Sequence, residues 1–357
     1  MQNRIEKCKD IIYDQQVDAA LITSSANRFY LSGFTGTAGK LVITKDSQNY
    51  LITDFRYKEQ AAEETENFEV VEINKNRKEK LAEFLKEKNI NSLGFEDDDL
   101  SYQDYHKLDG LCQNIAFVPL EGEVNKLRLI KEPEEIEMIK EAIEIAESAF
   151  KEILNFIEPG VREKEIAAEL EYILRKKGGE GPSFDFIVAS GERSALPHGV
   201  ASEKKLKEGE FVTIDFGTFY AGYCSDITRT LILGNSEPKQ EQIYNLVLAA
   251  HNKVIDEVRP GMTGKEADSI ARNLIAEAGY EDNFGHGLGH GLGIEVHEGP
   301  KLSYQSGEQE LKEGMVFTDE PGIYLPDYGG VRIEDDILLK EDGCEVLNQL
   351  TKDLQII

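Results

Sequence analysis

The chain has 357 residues, and its 68 aspartates and glutamates against 40 lysines and arginines give a formal net charge of −28 at pH 7. Nucleic-acid binding depends on lysine and arginine side chains that neutralise phosphates, so this balance excludes a nucleic-acid partner. No apolar stretch approaches the roughly 20 residues that span a bilayer, so no membrane segment is predicted. The four cysteines are scattered without a C-x-x-C pair, which favours a reduced, cytoplasmic protein over a disulfide framework or a thiolate zinc site.

The first part of the chain alternates short β-type runs with charged helical runs. Strands are predicted at 18–23, 40–44, 50–53 and 116–119, with a helix at 78–88. This alternation is typical of an α/β domain. The pattern breaks near residue 123, so we predict an N-terminal α/β domain over 1–123 and a second domain over 124–357.

The second part of the chain begins with a predicted helix. Pro133 is followed by acidic residues in the first turn and by apolar residues at helical spacing, which is typical of a helix that starts at the proline. Two further helices are predicted at 238–258 and 263–278. We therefore expect helices to alternate with strands here as well.

The second part also contains an internal repeat. Residues 206–215 align without gaps with residues 311–320, and five of the ten positions are identical. The alignment places Asp215 on Glu320, each on a predicted strand after a Glu-Gly turn. A returning strand then offers a second acid in each copy, Asp226 and Glu334. The pattern fits two unrelated hairpins of one sheet, but the matched acids favour two related α/β halves.

The repeated acids predict a metal centre. Carboxylates on the inward face of a strand are costly unless they are paired or bound to metal. Four carboxylates that face one cavity carry four negative charges, and two divalent cations would neutralise them. We therefore predict a dinuclear centre held by these four acids.

A neutral imidazole is expected to complete the ligands. Four of the six histidines, His198, His286, His290 and His297, lie in the second part beside turn glycines. Within residues 284–293 glycine recurs at alternate positions, which lets the backbone approach a site closely. The run does not satisfy G-x-G-x-x-G and lacks the Lys-Ser/Thr of a phosphate loop, so a nucleotide site is disfavoured.

Several segments closely resemble the Xaa-Pro dipeptidases (prolidases) and aminopeptidases P. These segments are 197–199, 225–230, 286–298, 318–324 and 330–335. Both families have the pita-bread fold shared with methionine aminopeptidases and creatinase. The resemblance extends from about residue 124 to the end, and segments 33–39 and 53–57 look like a creatinase-type N-terminal domain. The resemblance implies an α/β N-terminal domain that is followed along the chain by a pita-bread catalytic domain with a pseudo-twofold repeat.

The resemblance also implies a ligand set. Asp215 and Asp226 would bind one metal, with Asp226 reaching the second. His290 and Glu320 would complete the other site, and Glu334 would bridge both. One nitrogen and several carboxylate oxygens suit manganese, cobalt, iron or zinc, and the family favours manganese.

Catalytic roles follow from the same resemblance. Two nearby metals lower the pKa of a bridging water, and Glu320 is expected to act as general base. His198 and His297 match histidines that contact the substrate, and we assign them to the tetrahedral oxyanion and the departing amine. His286 is expected to support the substrate pocket.

An Xaa-Pro bond requires its own pocket, because it is a tertiary amide without an N–H and with restricted backbone angles. Phe184, Phe186, Tyr220 and Tyr324 are candidates for its walls, although aromatic residues at strand spacing also build plain core.

Two charged residues beside the ligands need an explanation. Arg332 shares a strand face with Glu334 and is expected to orient that carboxylate, with a surface ion pair as the alternative. Asp319 stands where an apolar residue is expected, so if it is buried it needs a partner or a raised pKa.

The leading hypothesis is an Xaa-Pro dipeptidase that acts on proline-containing peptides as a homodimer, in which the N-terminal domain borders the partner's active site. The compact chain favours the dipeptidase, while segment 33–39 favours aminopeptidase P. A non-catalytic acidic binding module and a metal-free creatinase-like hydrolase are disfavoured by the complete ligand set. A methionine aminopeptidase is disfavoured by the additional N-terminal domain.

Overall fold

The structure is a computed structural model that describes residues 1–46 and 48–357. The chain divides into two compact units, Met1–Arg128 and Leu129–Ile357. Across the described residues, no helix is both long enough and apolar enough to cross a membrane.

The N-terminal unit is a mixed α/β structure. Its helices are α1 Gln2–Asp14, α2 Ser25–Ser32, α3 Lys58–Glu64, α4 Arg77–Glu87, α5 Tyr102–Leu111 and α6 Glu123–Lys126. Its strands are β1 Ala19–Ile22, β2 Lys40–Thr44, β3 Asn49–Thr53, β4 Glu69–Glu72, β5 Ser92–Phe95 and β6 Ala116–Pro119. They form one sheet in the order β4-β3-β2-β1-β5-β6, in which β1 runs antiparallel to β2 and parallel to β5. The predicted strands and the predicted helix of this unit are confirmed.

The C-terminal unit combines long helices with several small sheets. Its helices are α7 Pro133–Ile153, α8 Glu163–Lys176, α9 Pro238–Glu257 and α10 Gly264–Glu277, with 3₁₀ turns at Gly191–Ala195 and Glu281–Asn283. The strands of its first half are β7 Ile187–Ser190, β8 Phe211–Phe216, β9 Phe219–Tyr220, β10 Tyr223–Cys224 and β11 Ile227–Ile232. The strands of its second half are β12 Gly289–Gly291, β13 Glu298–Leu302, β14 Val316–Asp319, β15 Gly322–Leu325, β16 Gly329–Arg332, β17 Asp335–Lys340, β18 Gly343–Val346 and β19 Gln355–Ile356.

The internal repeat has a structural counterpart. In each copy a strand leads through a two-stranded hairpin to an antiparallel return strand, as β8, β9, β10 and β11 and again as β14, β15, β16 and β17. Strands β8 and β11 of the first copy belong to a sheet in the order β19-β11-β8-β7. Strands β14 and β17 of the second copy belong to a sheet in the order β13-β12-β14-β17-β18. The expectation of two related halves is confirmed at this level.

Helix α9 shows why the predicted helices form. Pro238 occupies its first turn, where the missing N–H has no intrahelical partner to lose. Its buried residues recur at intervals of three or four positions, so they lie on one face of the helix. These residues are Gln240, Ile243, Tyr244, Val247, Ala250, His251 and Val254. The face packs into a core shared with α10 and with strands of both copies.

Strand β12 approaches its neighbours too closely for side chains at its glycines. It lies between β13 and β14, and Gly291 is paired with residues of both. A Cβ added at Gly291 would lie 1.8 Å from the carbonyl oxygen of Gly299, and one at Gly289 would lie 2.0 Å from that of Thr318. The glycines on either side of His290 therefore allow the close backbone packing that the sequence predicts.

We predict that Gly291→Ala destabilises the protein by about 1–3 kcal/mol, the usual cost of forcing extra volume into packed backbone. Urea unfolding of the variant and the parent measures the difference. Gly285→Ala is the matched control from the same run, because a Cβ there meets no atom within 4 Å among the described residues. Equal losses for the two variants would contradict the close approach.

Candidate metal centre

The four repeated acids lie where the paired strands begin and end. Asp215 is on β8 opposite Thr228 of β11. Asp226 directly precedes β11, Glu320 directly follows β14, and Glu334 directly precedes β17. Thus only Asp215 is inside a strand, although all four acids come from the two equivalent hairpins.

His290 lies among these carboxylates. Its Nε2 atom is 3.5 Å from Oε1 of Glu320 and 3.7 Å from Oδ2 of Asp226. One ligand atom each from Asp226, His290 and Glu334 lie within 4.8 Å of one another. The backbone N–H of His290 donates to the hydroxyl of Thr318 at 3.1 Å, which fixes the strand that carries the imidazole.

Burial and mutual repulsion favour the neutral forms of the acids. Burial, then the nearby carboxylates, raise the pKa of Asp226 and that of Glu334 well above the usual range. Burial likewise raises the pKa of Glu320 to about 8 and raises that of Asp215, although Arg332 opposes both shifts. In the protein alone, the four acids therefore cannot all be charged without a large cost.

Burial shifts the pKa of the His290 imidazole in the opposite direction. It lowers the pKa of His290 to about 4, and the neighbouring His297 adds to this shift. The ring is therefore neutral at physiological pH and keeps a lone pair for a metal ion.

The residues present fit divalent metal ions. Oδ1 of Asp215 and Oδ1 of Asp226 are buried, and neither has a hydrogen-bond partner in the part of the chain that the structure describes. A buried acceptor left without a partner costs free energy, and a coordinated cation removes that cost. Carboxylate oxygens with one neutral imidazole form a donor set typical of manganese, iron, cobalt or zinc.

Arg332 corrects one prediction from the sequence. Its guanidinium donates directly to Oδ2 of Asp215 at 2.6 Å, and not to Glu334. Its Nε donates to the hydroxyl of Thr228 at 3.0 Å, and that hydroxyl donates to Oε2 of Glu334 at 2.5 Å. Arg332 thus reaches the expected carboxylate through Thr228, because β8 and β11 place Asp215 closer to it.

A chain of polar contacts links His286 to the same arginine. Nε2 of His286 lies 2.8 Å from the hydroxyl of Tyr324, which accepts from Arg332 at 2.9 Å. Nδ1 of His286 is 4.0 Å from Glu320, and burial lowers the pKa of His286 to about 4. The structure therefore brings His286 and Tyr324 to the edge of the carboxylate cluster.

His297 and His198 occupy the exposed side. The ring centroid of His297 is 4.2 Å from that of His290. His198 affects the pKa of both His286 and His297 as a neighbouring charge, so it lies near both rings. Both His198 and His297 are exposed, as residues that meet a substrate need to be.

The loop that carries His198 is held by a buried carboxylate that the sequence did not reveal. Glu163, at the start of α8, accepts from the backbone N–H of Ser190 at 2.8 Å and from the hydroxyl of Ser202 at 2.6 Å. Arg193 forms an ion pair with the same carboxylate. These bonds join the two ends of the loop between Ser190 and Ser202.

The other predicted pocket residues have no such link to the cluster. Tyr220 lies on β9 opposite Tyr223, and within residues 1–46 and 48–357 no side-chain hydrogen bond or ring contact joins it to the cluster. Phe184 and Phe186 pack edge to face with centroids 6.5 Å apart. Their roles in a proline pocket stay predictions.

Asp319 is buried and has a partner, and burial also raises its pKa, so both of the alternatives expected from the sequence are present. Its Oδ2 atom is 2.5 Å from Nδ1 of His251, and Nε2 of that ring is 3.0 Å from Oδ2 of Asp335. Burial lowers the pKa of His251, but Asp319 and Asp335 outweigh this effect and raise it to about 9. The only sequence signal was an acid at an apolar position, because His251 is 68 residues away along the chain.

Comparison with known proteins agrees with this geometry. The sequence model of metallopeptidase family M24 matches residues 137–341, and that of the Creatinase/Prolidase N-terminal domain matches residues 4–130. The chain belongs to metallopeptidase family M24. The family implies divalent metal ions, in agreement with the donor set, and the C-terminal unit has its pita-bread architecture.

Individual relatives cover almost the whole chain. An Xaa-Pro dipeptidase from Pyrococcus horikoshii is 42% identical over 356 residues, 99% of each chain. The structure of an Xaa-Pro dipeptidase from Bacillus anthracis is 47% identical, with a TM-score of 0.96 over 100% of this chain and 99% of that one. An X-Pro aminopeptidase from Thermotoga maritima is 42% identical, with a TM-score of 0.90 over 96% of this chain and 98% of that one.

We predict that metal-free Glu320→Gln becomes more stable relative to the metal-free parent as pH rises from about 5 to 8. A carboxyl whose pKa is raised by folding contributes stability below its unfolded pKa and loses it as pH rises through the folded value, here about 8. The neutral amide does not ionise. Thermal unfolding of both proteins should show a difference that grows by several degrees, since 1 kcal/mol corresponds to about 2–4 °C.

The control for this experiment is Glu341→Gln, which removes one carboxylate from an exposed turn and reproduces the change in net charge. A difference between Glu320→Gln and the parent that stays constant with pH would contradict the assigned shift.

Proposed function

We propose that this protein is a dinuclear-metal Xaa-Pro dipeptidase. The observation that carries the proposal is the convergence of Asp226, Glu320 and Glu334 on His290, beside the Asp215–Arg332 pair. The dipeptidases from Pyrococcus horikoshii and Bacillus anthracis support the choice of reaction, because both are similar to this chain over nearly its whole length.

The proposed ligands divide between two metal positions. Asp215 and Asp226 would hold one ion, and His290 and Glu320 the other. Asp226 and Glu334 would reach both, in agreement with their central place in the cluster. We propose manganese for both positions. Two bound divalent ions would supply Lewis-acid polarisation and a water of lowered pKa.

The chain's own residues would then position the reactants and move protons. Glu320 is the proposed general base, because it is the least buried of the four acids and its raised pKa suits proton transfer near neutral pH. His198 and His297, on the exposed side, would stabilise the oxyanion and the departing amine. His286 and Tyr324 would border the substrate, with their rings fixed through Arg332.

A second candidate function is removal of one residue before proline from longer peptides. The X-Pro aminopeptidase from Thermotoga maritima, 42% identical to this chain, favours it. The two activities share the metal centre and differ in whether the substrate may extend beyond proline.

We further propose a cytoplasmic location and a homodimer. Four free cysteines, at positions 8, 112, 224 and 344, suit a reducing compartment. A partner subunit would give the N-terminal unit a role at an active site to which its own sequence contributes no ligand.

We predict that the manganese-loaded enzyme cleaves Ala-Pro with a kcat/KM at least about tenfold above that for Ala-Pro-Ala, a difference of about 1.4 kcal/mol in transition-state stabilisation. Chromatographic assay of released alanine measures both rates, and the second product is proline from the dipeptide and Pro-Ala from the tripeptide. Preferential cleavage of the tripeptide would reject the dipeptidase and support the aminopeptidase.

We predict that Glu320→Gln lowers kcat for Ala-Pro by a factor on the order of 100 or more, because it removes both a ligand and the proton acceptor. The assay uses saturating manganese, and circular dichroism checks the fold. Glu341→Gln is the matched control and should retain parental kcat. Full turnover by Glu320→Gln would remove Glu320 from the mechanism.

A further inference from the structure

A buried charge network lies directly behind two of the proposed ligands. Asp319 precedes Glu320 at the end of β14, and Asp335 follows Glu334 at the start of β17. Asp319 and Asp335 are cross-strand partners, and both side chains are fully buried. Because successive residues of an extended chain point to opposite faces, this pair faces away from the carboxylate cluster.

His251 of α9 joins the two carboxylates. Its imidazole contacts Asp319 through Nδ1 at 2.5 Å and Asp335 through Nε2 at 3.0 Å, and the ring is fully buried. Asp335 also accepts from Arg229 at 2.7 Å and from Lys352 at 2.7 Å. The side chain of Asp319, by contrast, has His251 as its one hydrogen-bond partner in the described parts of the chain.

The internal repeat provides a comparison within the same molecule. The ungapped alignment of the two copies places Asp319 on Ile214 of β8, which is also fully buried. The hairpin therefore forms with an apolar residue at this position, and the pair of Asp319 and His251 is not needed to build it. Burying ions is costly, so an ion network that the hairpin does not require points to a role beyond folding.

We propose that His251 is a positioning residue for the metal centre. By bridging Asp319 and Asp335, the rigid imidazole fixes the distance between β14 and β17 at the residues next to Glu320 and Glu334. The backbone positions of Glu320 and Glu334 are thereby held at a constant separation, from which both side chains reach the metal positions. The inference rests on the proposed metallopeptidase function. It adds His251, which among the described residues contacts none of the side chains proposed to bind metal.

The test compares manganese binding by metal-free parent, His251→Leu and His251→Asn in isothermal titration calorimetry. Leucine fills the space without a donor, and asparagine is too short to span both carboxylates. We expect the dissociation constant to rise by about 10- to 100-fold for leucine, the usual effect of losing a partner behind a metal ligand, and by less for asparagine. The KM for Ala-Pro at saturating manganese should stay unchanged.

Val254→Ala is the matched control, because it weakens the buried face of the same helix one turn further on without removing a hydrogen bond. It should lower the unfolding temperature and leave the manganese affinity at the parental value. If His251→Leu does not fold, His251→Asn decides the question. Parental affinity in either folded variant would overturn the positioning role alone. A parent that binds no manganese would overturn the proposed function and this inference together.

Discussion

The repulsion among four carboxylates, three of them buried and one half-buried, is the constraint on which the C-terminal unit depends. Burial raises the pKa of Asp215, Asp226, Glu320 and Glu334, and nearby carboxylates raise it further for Asp226, Glu320 and Glu334. Among the described residues, Arg332 is the one arginine or lysine whose side chain forms an ion pair with any of these four carboxylates. One arginine cannot neutralise four ionised carboxylates. The cluster therefore needs additional positive charge, such as that of divalent cations, before all four acids can be ionised together.

The surrounding elements keep these acids together against that repulsion. Thr228 connects Glu334 to Arg332, and Thr318 holds the backbone of His290. The glycines on either side of His290 let β12 pack closely between β13 and β14, so that the imidazole reaches the carboxylates. Hydroxyl groups, backbone atoms and strand pairing thus hold Glu334 and His290 in place.

The two copies of the repeat contribute equivalent acids from two similar hairpins. Each copy supplies two acids, at a strand end and at the start of the return strand, while the polar residues around them differ. The second copy carries the buried aspartates that meet His251, where the aligned position of the first copy holds Ile214. Of the acids, Asp215 of the first copy pairs with Arg332, whereas Glu320 of the second copy lies beside His286 and His290.

The sequence by itself determined the fold class, the main strands and helices and the repeat, and it predicted the four acids and the histidine that the structure brings together. Hydrophobic period, proline and glycine positions and matched acids are local signals, and they can be read without coordinates. Only the tertiary structure decided which groups meet. It paired Arg332 with Asp215 where Glu334 was expected, and it brought His251 to Asp319 and Glu163 to the His198 loop. These contacts join residues 27 to 117 positions apart, and spacing along one strand or helix carries no information about such distances.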